Sequence, residues 1–386
     1  MNGTSSQNMA DPRATASSRL ASLRRFLAAE PDNASLRRDV VATAVAAGEF
    51  DYVRELAEQR LANAPADPEA QFDRATALMG LKDFAGALQA LEQLDTTIPG
   101  VRFNIGLCLF MQDRFADARP YFSAGYEAGE RSAGQLRCFI RTMHHLGEID
   151  AAMVVAGENA SLVASDADLA GVCALLAIDA NDIAGGKRYA QLALTVNPNN
   201  VDALVAAGSL YAAELDVANA RTAFERTIAV QAENGRAWLG LGLLAMTDGH
   251  IADAIPQLER GIAAMPGHIG SWHSLGWAHL FTGNLDAAEK VFQHSLELNH
   301  NFSESHGSLA VIAAMRGDRA TAQRLIEVAE RLDRACMSSK YATSLLASSP
   351  EEGRRMLANL IEKVPGQGPR FAALLRRANQ NSGKAP

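Results

Sequence analysis

The chain lacks any long hydrophobic run. Although 48% of its 386 residues are hydrophobic, no stretch approaches the roughly 18 consecutive apolar residues that indicate a membrane-spanning helix. The most apolar segment, Leu169 to Ile178, has the length of a buried helix. The first residues also lack the apolar centre of a secretory signal. We therefore expect a cytoplasmic protein and no membrane contact.

The sequence also has few cysteines and no excess of positive charge. The four cysteines show no Cys-x-x-Cys spacing, which favours free thiols in a reducing compartment; they are Cys108, Cys138, Cys173 and Cys336. The formal net charge is −8, whereas a nucleic-acid-binding protein needs a basic surface. We expect no nucleic-acid partner.

Catalytic motifs are absent from the sequence. It contains no glycine-rich phosphate loop, no Gly-x-Ser-x-Gly and no His-Glu-x-x-His. Seven of the nine histidines lie between His250 and His306, which first suggests a metal site. However, His294, His300 and His306 are spaced so that they do not share one helix face. The sequence predicts packing and surface roles for them, and no enzyme activity, cofactor or metal.

A repeated pattern is present instead. The motif Trp238-x-x-Leu241-Gly242 returns 34 residues later as a motif that begins at Trp272. Each copy is followed by an alanine and a larger apolar residue four positions on, namely Ala254 with Leu258 and Ala288 with Phe292. Apolar residues three and four apart indicate helices, and small residues indicate close helix crossings.

These residues resemble the tetratricopeptide repeat, a helix–turn–helix unit of about 34 residues. The resemblance implies an all-α fold, a right-handed α-solenoid (superhelix) of tandem helix–turn–helix repeats. Its frame divides the chain into a disordered N-terminal tail (1–18), a partial capping repeat (19–33), nine repeats (34–333), a degenerate repeat (334–367), and a C-terminal capping helix and tail (368–386). The last segment carries Arg370, Arg376 and Arg377, which form either a solvated cap or a contact for an acidic partner or a membrane surface.

In the resembled family, the first helix of each repeat lines a concave groove. Transferring its groove positions to this sequence implies an apolar early part, a basic step and an apolar, aromatic later part. The implied groove residues are Phe72, Met79, Phe103, Leu107, Phe110, Met111, Arg137, Arg141, His144, His145, Leu243, His273, Trp277 and Phe281.

The basic step is the most specific part of this predicted groove. Arg137 and Arg141 are four residues apart and therefore share a helix face with His144 and His145. Such a face suits a carboxylate or an acidic side chain, because arginine binds carboxylates through two hydrogen bonds. The alternative is that the arginines are solvated. The Lys/Asn carboxylate clamp found in this family is not matched, since Phe103 and Leu107 occupy its positions. The asparagine ladder with which other members read a peptide backbone is also absent.

An apolar groove with methionine and aromatic residues suits an amphipathic helix or an apolar segment of a protein partner. We therefore predict a scaffold or adaptor for protein–protein interaction, which could serve as a chaperone or assembly factor of a bacterial secretion or envelope system. The alternative is a non-catalytic subunit that holds an enzyme encoded elsewhere, such as a glycosyltransferase.

Overall fold

The structure, a computed structural model, describes residues 12–362, and every helix or strand within that range is an α-helix. The described chain consists of successive helical hairpins, which confirms the predicted all-α solenoid of tandem helix–turn–helix repeats. It divides into two compact units, with the boundary between Ala180 and Asn181.

Unit 1 holds eleven helices within its described residues. They are α1 (Pro12–Ala29), α2 (Ala34–Ala47), α3 (Phe50–Asn63), α4 (Pro68–Gly80), α5 (Phe84–Leu91), α6 (Pro99–Phe110), α7 (Phe115–Glu127), α8 (Ala133–His145), α9 (Ile149–Glu158), α10 (Ala160–Ser165) and α11 (Ala167–Asp179).

Unit 2 also holds eleven helices within its described residues. They are α12 (Ile183–Val196), α13 (Val201–Ala213), α14 (Val217–Val230), α15 (Gly235–Thr247), α16 (Ile251–Ala264), α17 (Ile269–Phe281), α18 (Leu285–Leu298), α19 (Ser303–Met315), α20 (Arg319–Leu332), α21 (Met337–Leu345) and α22 (Pro350–Glu362).

Local sequence signals set the ends of each hairpin, as α15 and α16 illustrate. The side chain of Asn234 accepts a hydrogen bond from the backbone N–H of Ala237 at 3.0 Å and so caps the start of α15. After α15, Gly249 takes a left-handed conformation with φ of 82°. Its N–H donates to the carbonyl of Met246 at 3.0 Å, which closes the helix and turns the chain into α16.

Three features differ from the predicted boundaries. Helix α1 begins at Pro12, before the predicted boundary at Arg19, so 12–18 are helical rather than disordered; proline is tolerated in a first turn, where its missing N–H has no intrahelical partner. Helix α5 has only eight residues, so its repeat is shorter than the others. The short helix α10 is additional. The predicted tail 1–11 and the capping helix in 368–386 lie outside the described residues.

The repeat frame places Ala288 at a helix crossing, and the structure confirms its burial. Ala288 is 0% exposed and belongs to the same core cluster as Phe292 and Leu258. We expect Ala288→Leu to lower the free energy of unfolding by about 1–3 kcal/mol, because the extra carbons overpack a filled core. Thermal denaturation measures this effect. Ala263→Leu, at an exposed position of α16, is the matched control, and equal melting temperatures for both variants would show that the frame is misplaced.

Candidate functional site

Unit 2 contains an open apolar recess between the first helices of its later hairpins. Its volume is about 290 Å³. We call it the apolar recess and define it by its lining residues, which are Leu243, Met246, His273, Ser274, Trp277, Phe281, Glu304, Met337, Ser338 and Tyr341. These residues come from α15, α17, α19 and α21.

Aromatic packing shapes the apolar recess. The ring centroid of Trp277 lies 5.4 Å from that of Phe281 and 6.1 Å from that of Tyr341. Phe281 and Tyr341 are buried, whereas Leu243 on α15 is 42% exposed. The recess therefore has a fixed aromatic wall and an accessible aliphatic side chain at its opening.

His273 contributes to the wall as a neutral side chain. Its Nε2 accepts a hydrogen bond from Trp277 Nε1 at 2.9 Å, so the proton of the neutral ring is assigned to Nδ1. Burial lowers the pKa of His273 to about 4, an effect that Glu304 partly opposes. The Nδ1 atom is buried without a hydrogen-bond partner among the described residues. His273 therefore adds no charge to the recess at neutral pH.

Glu304 also lines the recess, but its carboxylate stabilises a helix. It accepts hydrogen bonds from the backbone N–H groups of Met337 at 2.7 Å and of Ser338 at 3.0 Å. These are the first two residues of α21, whose N-terminal N–H groups lack partners inside the helix. The carboxylate thus fixes Met337 and Ser338, two of the three α21 residues that line the recess.

Four of the predicted groove residues lie together in the apolar recess. These are Leu243, His273, Trp277 and Phe281. The prediction omitted the contributions of α19 and α21, namely Glu304, Met337, Ser338 and Tyr341. The repeat after α20 is degenerate in sequence, so the family's groove positions could not be transferred to α21.

The early predicted residues lie in unit 1, where several pack inside their own hairpins. The ring of Phe103 lies 5.9 Å from that of Phe122 on α7, and the ring of Phe110 lies 5.3 Å from that of Phe115 at the start of α7. Phe72, Met79 and Leu107 are partly buried, and Met111 is exposed. Much of the apolar surface of Phe103 and Phe110 therefore stabilises the fold, and a partner contact at these six residues stays a prediction.

The basic step is engaged by the chain's own acidic residues. Arg137 Nη1 lies 2.8 Å from Asp168 Oδ2, and His144 Nε2 lies 2.6 Å from Asp179 Oδ2. Both aspartates belong to α11, which packs beside α8. The ring of His145 stacks on Phe115 with 4.1 Å between centroids. The alternative of solvated arginines therefore does not describe Arg137, which pairs with Asp168. A ligand contact by this step, including Arg141, stays a prediction.

A carboxylate-rich cluster surrounds Arg60 in unit 1. Arg60 lies 2.6 Å from Asp67, 3.0 Å from Glu69 and 3.7 Å from Asp73. Burial raises the pKa of Asp73 to about 6, and the charge of Glu69 adds to this effect, while Arg60 opposes it. Arg60 does not offset the burial of Asp73 because its guanidinium lies closer to the other two carboxylates.

We expect Asp73→Asn to raise the free energy of unfolding at pH 7 by about 1–2 kcal/mol. The folded chain holds the Asp73 proton more tightly than the unfolded chain, so wild-type stability falls as pH rises from about 4 through about 6. The gain in the variant should therefore be present above pH 6 and vanish near pH 4. Urea denaturation at both pH values measures it, and a gain of equal size at pH 4 would contradict this account.

One hydrogen bond to a backbone carbonyl recurs at the same position of three successive repeats and involves the histidine-rich region. Trp238 Nε1 donates to the carbonyl of Ala232 at 2.7 Å, and Trp272 Nε1 donates to that of Pro266 at 2.8 Å. His306, at the same repeat position, pairs through Nε2 with the carbonyl of His300 at 2.9 Å. His306 thus replaces the tryptophan. Within residues 12–362, no group of three or more His, Cys, Asp or Glu side chains could hold a metal ion.

The fold and the recess define a helical-repeat protein of the kind that presents binding surfaces. Tetratricopeptide-repeat family models match residues 205–269, 269–302 and 303–327. Residues 205–327 are therefore tetratricopeptide repeats. No curated protein matches the sequence. In the part of the chain that the structure describes, no helix is long and apolar enough to cross a membrane.

Solved structures share the fold at low identity. The APC/C hetero-tetramer Cut9-Hcn1 is similar with 13% identity and a TM-score of 0.51, over 97% of this chain and 93% of that one. YrrB, a tetratricopeptide-repeat protein with an unusual peptide-binding site, shows 20% identity and a TM-score of 0.38 over 50% and 96% of the two chains. Pseudomonas aeruginosa pilF shows 18% identity and a TM-score of 0.43 over 54% and 96%. The likeness to the Cut9-Hcn1 structure supports the helical-repeat fold alone.

Proposed function

We propose that this chain is a protein-interaction scaffold that holds an apolar or amphipathic segment of a partner protein in the apolar recess. The observation that carries this proposal is the recess itself, where Trp277, Phe281 and Tyr341 form the wall and Leu243 is accessible at the opening. An accessible apolar depression on a soluble repeat protein is a preferred place for a partner's apolar side chains.

The size and lining of the recess favour a protein segment over a small molecule. Its volume of about 290 Å³ falls at the lower end of small-molecule pockets, which span roughly 300–1,000 Å³. Such a volume suits one or two large apolar side chains presented by a helix at i and i+3 or i+4. Met246 and Met337 allow adaptation, because unbranched thioether side chains repack around different shapes.

A holding surface of this kind suits a scaffold, an adaptor or a chaperone that shields one segment of its client. The carboxylate of Glu304 is committed to the fold and His273 is neutral. Apolar contact would therefore provide the affinity, with little dependence on salt. A role in a bacterial secretion or envelope system, and the alternative of a subunit that holds an enzyme, stay predictions.

Binding through the recess predicts a specific loss in Leu243→Asp. Short amphipathic peptides displayed on phage are selected against the wild-type chain, and the selected peptides are then titrated by fluorescence anisotropy. We expect Leu243→Asp to weaken binding by about tenfold or more, because a charge at the opening must be desolvated when an apolar side chain enters. Folding should be retained, since Leu243 is partly exposed.

The matched control is Leu298→Asp. Leu298 lies on α18, is 39% exposed and does not line the recess. The substitution therefore introduces the same charge at a similar exposure elsewhere in unit 2. We expect the control to bind the selected peptides like the wild type. Equal losses in the two variants, or no loss in either, would show that the recess is not the binding site.

A further inference from the structure

The last described helix, α22, packs against α21, which contributes three residues to the apolar recess. Helices α21 and α22 are joined by a short loop and therefore run antiparallel. A Cβ on Gly353 would lie 2.7 Å from the carbonyl oxygen of Ser344, so the start of α22 adjoins the end of α21. Because both helices rise 1.5 Å per residue, Leu360 comes opposite Met337. Leu360 is buried in the core cluster against which Met337 packs.

The residues that follow α22 have the chemistry that the recess accepts. The sequence places Phe371, Leu374 and Leu375 at i, i+3 and i+4, the spacing that puts apolar side chains on one helix face. The eight residues 363–370 separate this group from Glu362 and reach roughly 28 Å when extended. The ring centroid of Trp277 lies 6.1 Å from that of Tyr341 on α21. The recess is therefore lined by the helix against which α22, the last described helix, packs.

We propose that residues 370–377 of the same chain occupy the apolar recess and compete there with the partner segment. This inference rests on the proposed function of the recess and adds its regulation. A tethered segment acts at an effective concentration of about 1 mM. If the free segment binds with a Kd of about 0.1 mM, the tether weakens an external ligand about tenfold. A partner must then displace the segment, so only segments that bind more tightly are held.

The test uses the full chain and a labelled synthetic peptide with the sequence of residues 366–380. The peptide is titrated against the wild type and against Phe371→Asp/Leu374→Asp, which disables the tethered segment. We expect the peptide to bind the double variant about tenfold more tightly than the wild type. The matched control Asn379→Asp/Asn381→Asp adds two charges next to the apolar group and should bind like the wild type.

A third variant identifies the place of binding. Adding Leu243→Asp to Phe371→Asp/Leu374→Asp should abolish the gain in peptide affinity. The inference is overturned if the wild type and the double variant bind the peptide equally, as they would if 370–377 only capped α22, or if the gain survives Leu243→Asp. If the phage-selected peptides still bind through Leu243 in that case, the proposed function stands without the regulation. If neither kind of peptide depends on Leu243, the proposed function and the regulation are both wrong.

Discussion

Gly307→Ala is expected to lower the free energy of unfolding by about 3 kcal/mol, the upper end of the range for overpacking a core. A Cβ at position 307 would lie 2.6 Å from the backbone nitrogen of Ser339, 2.8 Å from Cβ of Ser338 and 2.9 Å from Sγ of Cys336. The nearest of these atoms is backbone, which no side-chain rotation can move. Relief requires α21 to shift away from α19.

The same shift would damage the apolar recess. Helix α21 carries Met337, Ser338 and Tyr341, and its start is fixed by the carboxylate of Glu304 on α19. Gly307→Ala should therefore lose both stability and peptide binding, whereas Leu243→Asp should lose binding alone. This contrast separates a residue that builds the recess from one that meets its ligand.

Thermal denaturation followed by circular dichroism provides the measurement for Gly307→Ala. Gly157→Ala is the matched control, because Gly157 is also helical and a Cβ there would meet nothing within 4 Å. We expect the control to be neutral or to stabilise by up to about 1 kcal/mol, since alanine favours helices over glycine. If the two variants melt alike, the close approach of α19 and α21 is not present in solution.

The repeat signature explains which parts of the recess could be predicted from sequence. Trp272 and Leu275 mark α17 as the first helix of a repeat, and this frame placed His273, Trp277 and Phe281 on the groove side. Helix α21 has only nine residues and lacks the Trp-x-x-Leu-Gly pattern. The sequence therefore could not align Tyr341 with a groove position of the repeat. Its place in the recess follows from packing against α19, which depends on a glycine and on small polar side chains rather than on apolar periodicity.

The basic step shows a different limit of sequence reasoning. The spacing of Arg137 and Arg141 correctly indicates a shared helix side, but spacing within one helix does not identify the neighbouring helix. Asp168 and Asp179 bracket the apolar run of α11, and only the packing of α11 beside α8 shows that these carboxylates reach Arg137 and His144. Intramolecular carboxylates thus pair with Arg137 and His144, whereas the ligand contact of the basic step stays a prediction.

Acidification is expected to destabilise the wild type more than His273→Gln. His273 lies among apolar rings, 5.4 Å from Phe292 and 5.6 Å from Phe302 between ring centroids, and burial lowers its pKa to about 4 from its ordinary 6.5. As pH falls, the imidazole of the unfolded chain takes up a proton first. The stabilisation is therefore complete above pH 6.5 and is lost as pH falls from there through about 4.

Between pH 7 and pH 5, the wild type should lose about 2 kcal/mol more than His273→Gln, because the pKa difference is largely titrated over that interval. Glutamine can still accept the hydrogen bond from Trp277 Nε1, but it does not titrate. Urea denaturation at the two pH values measures the difference, and His250→Gln at an exposed position controls for the loss of a histidine. Parallel losses of stability in all three proteins would show that His273 is not buried as a neutral wall of the recess.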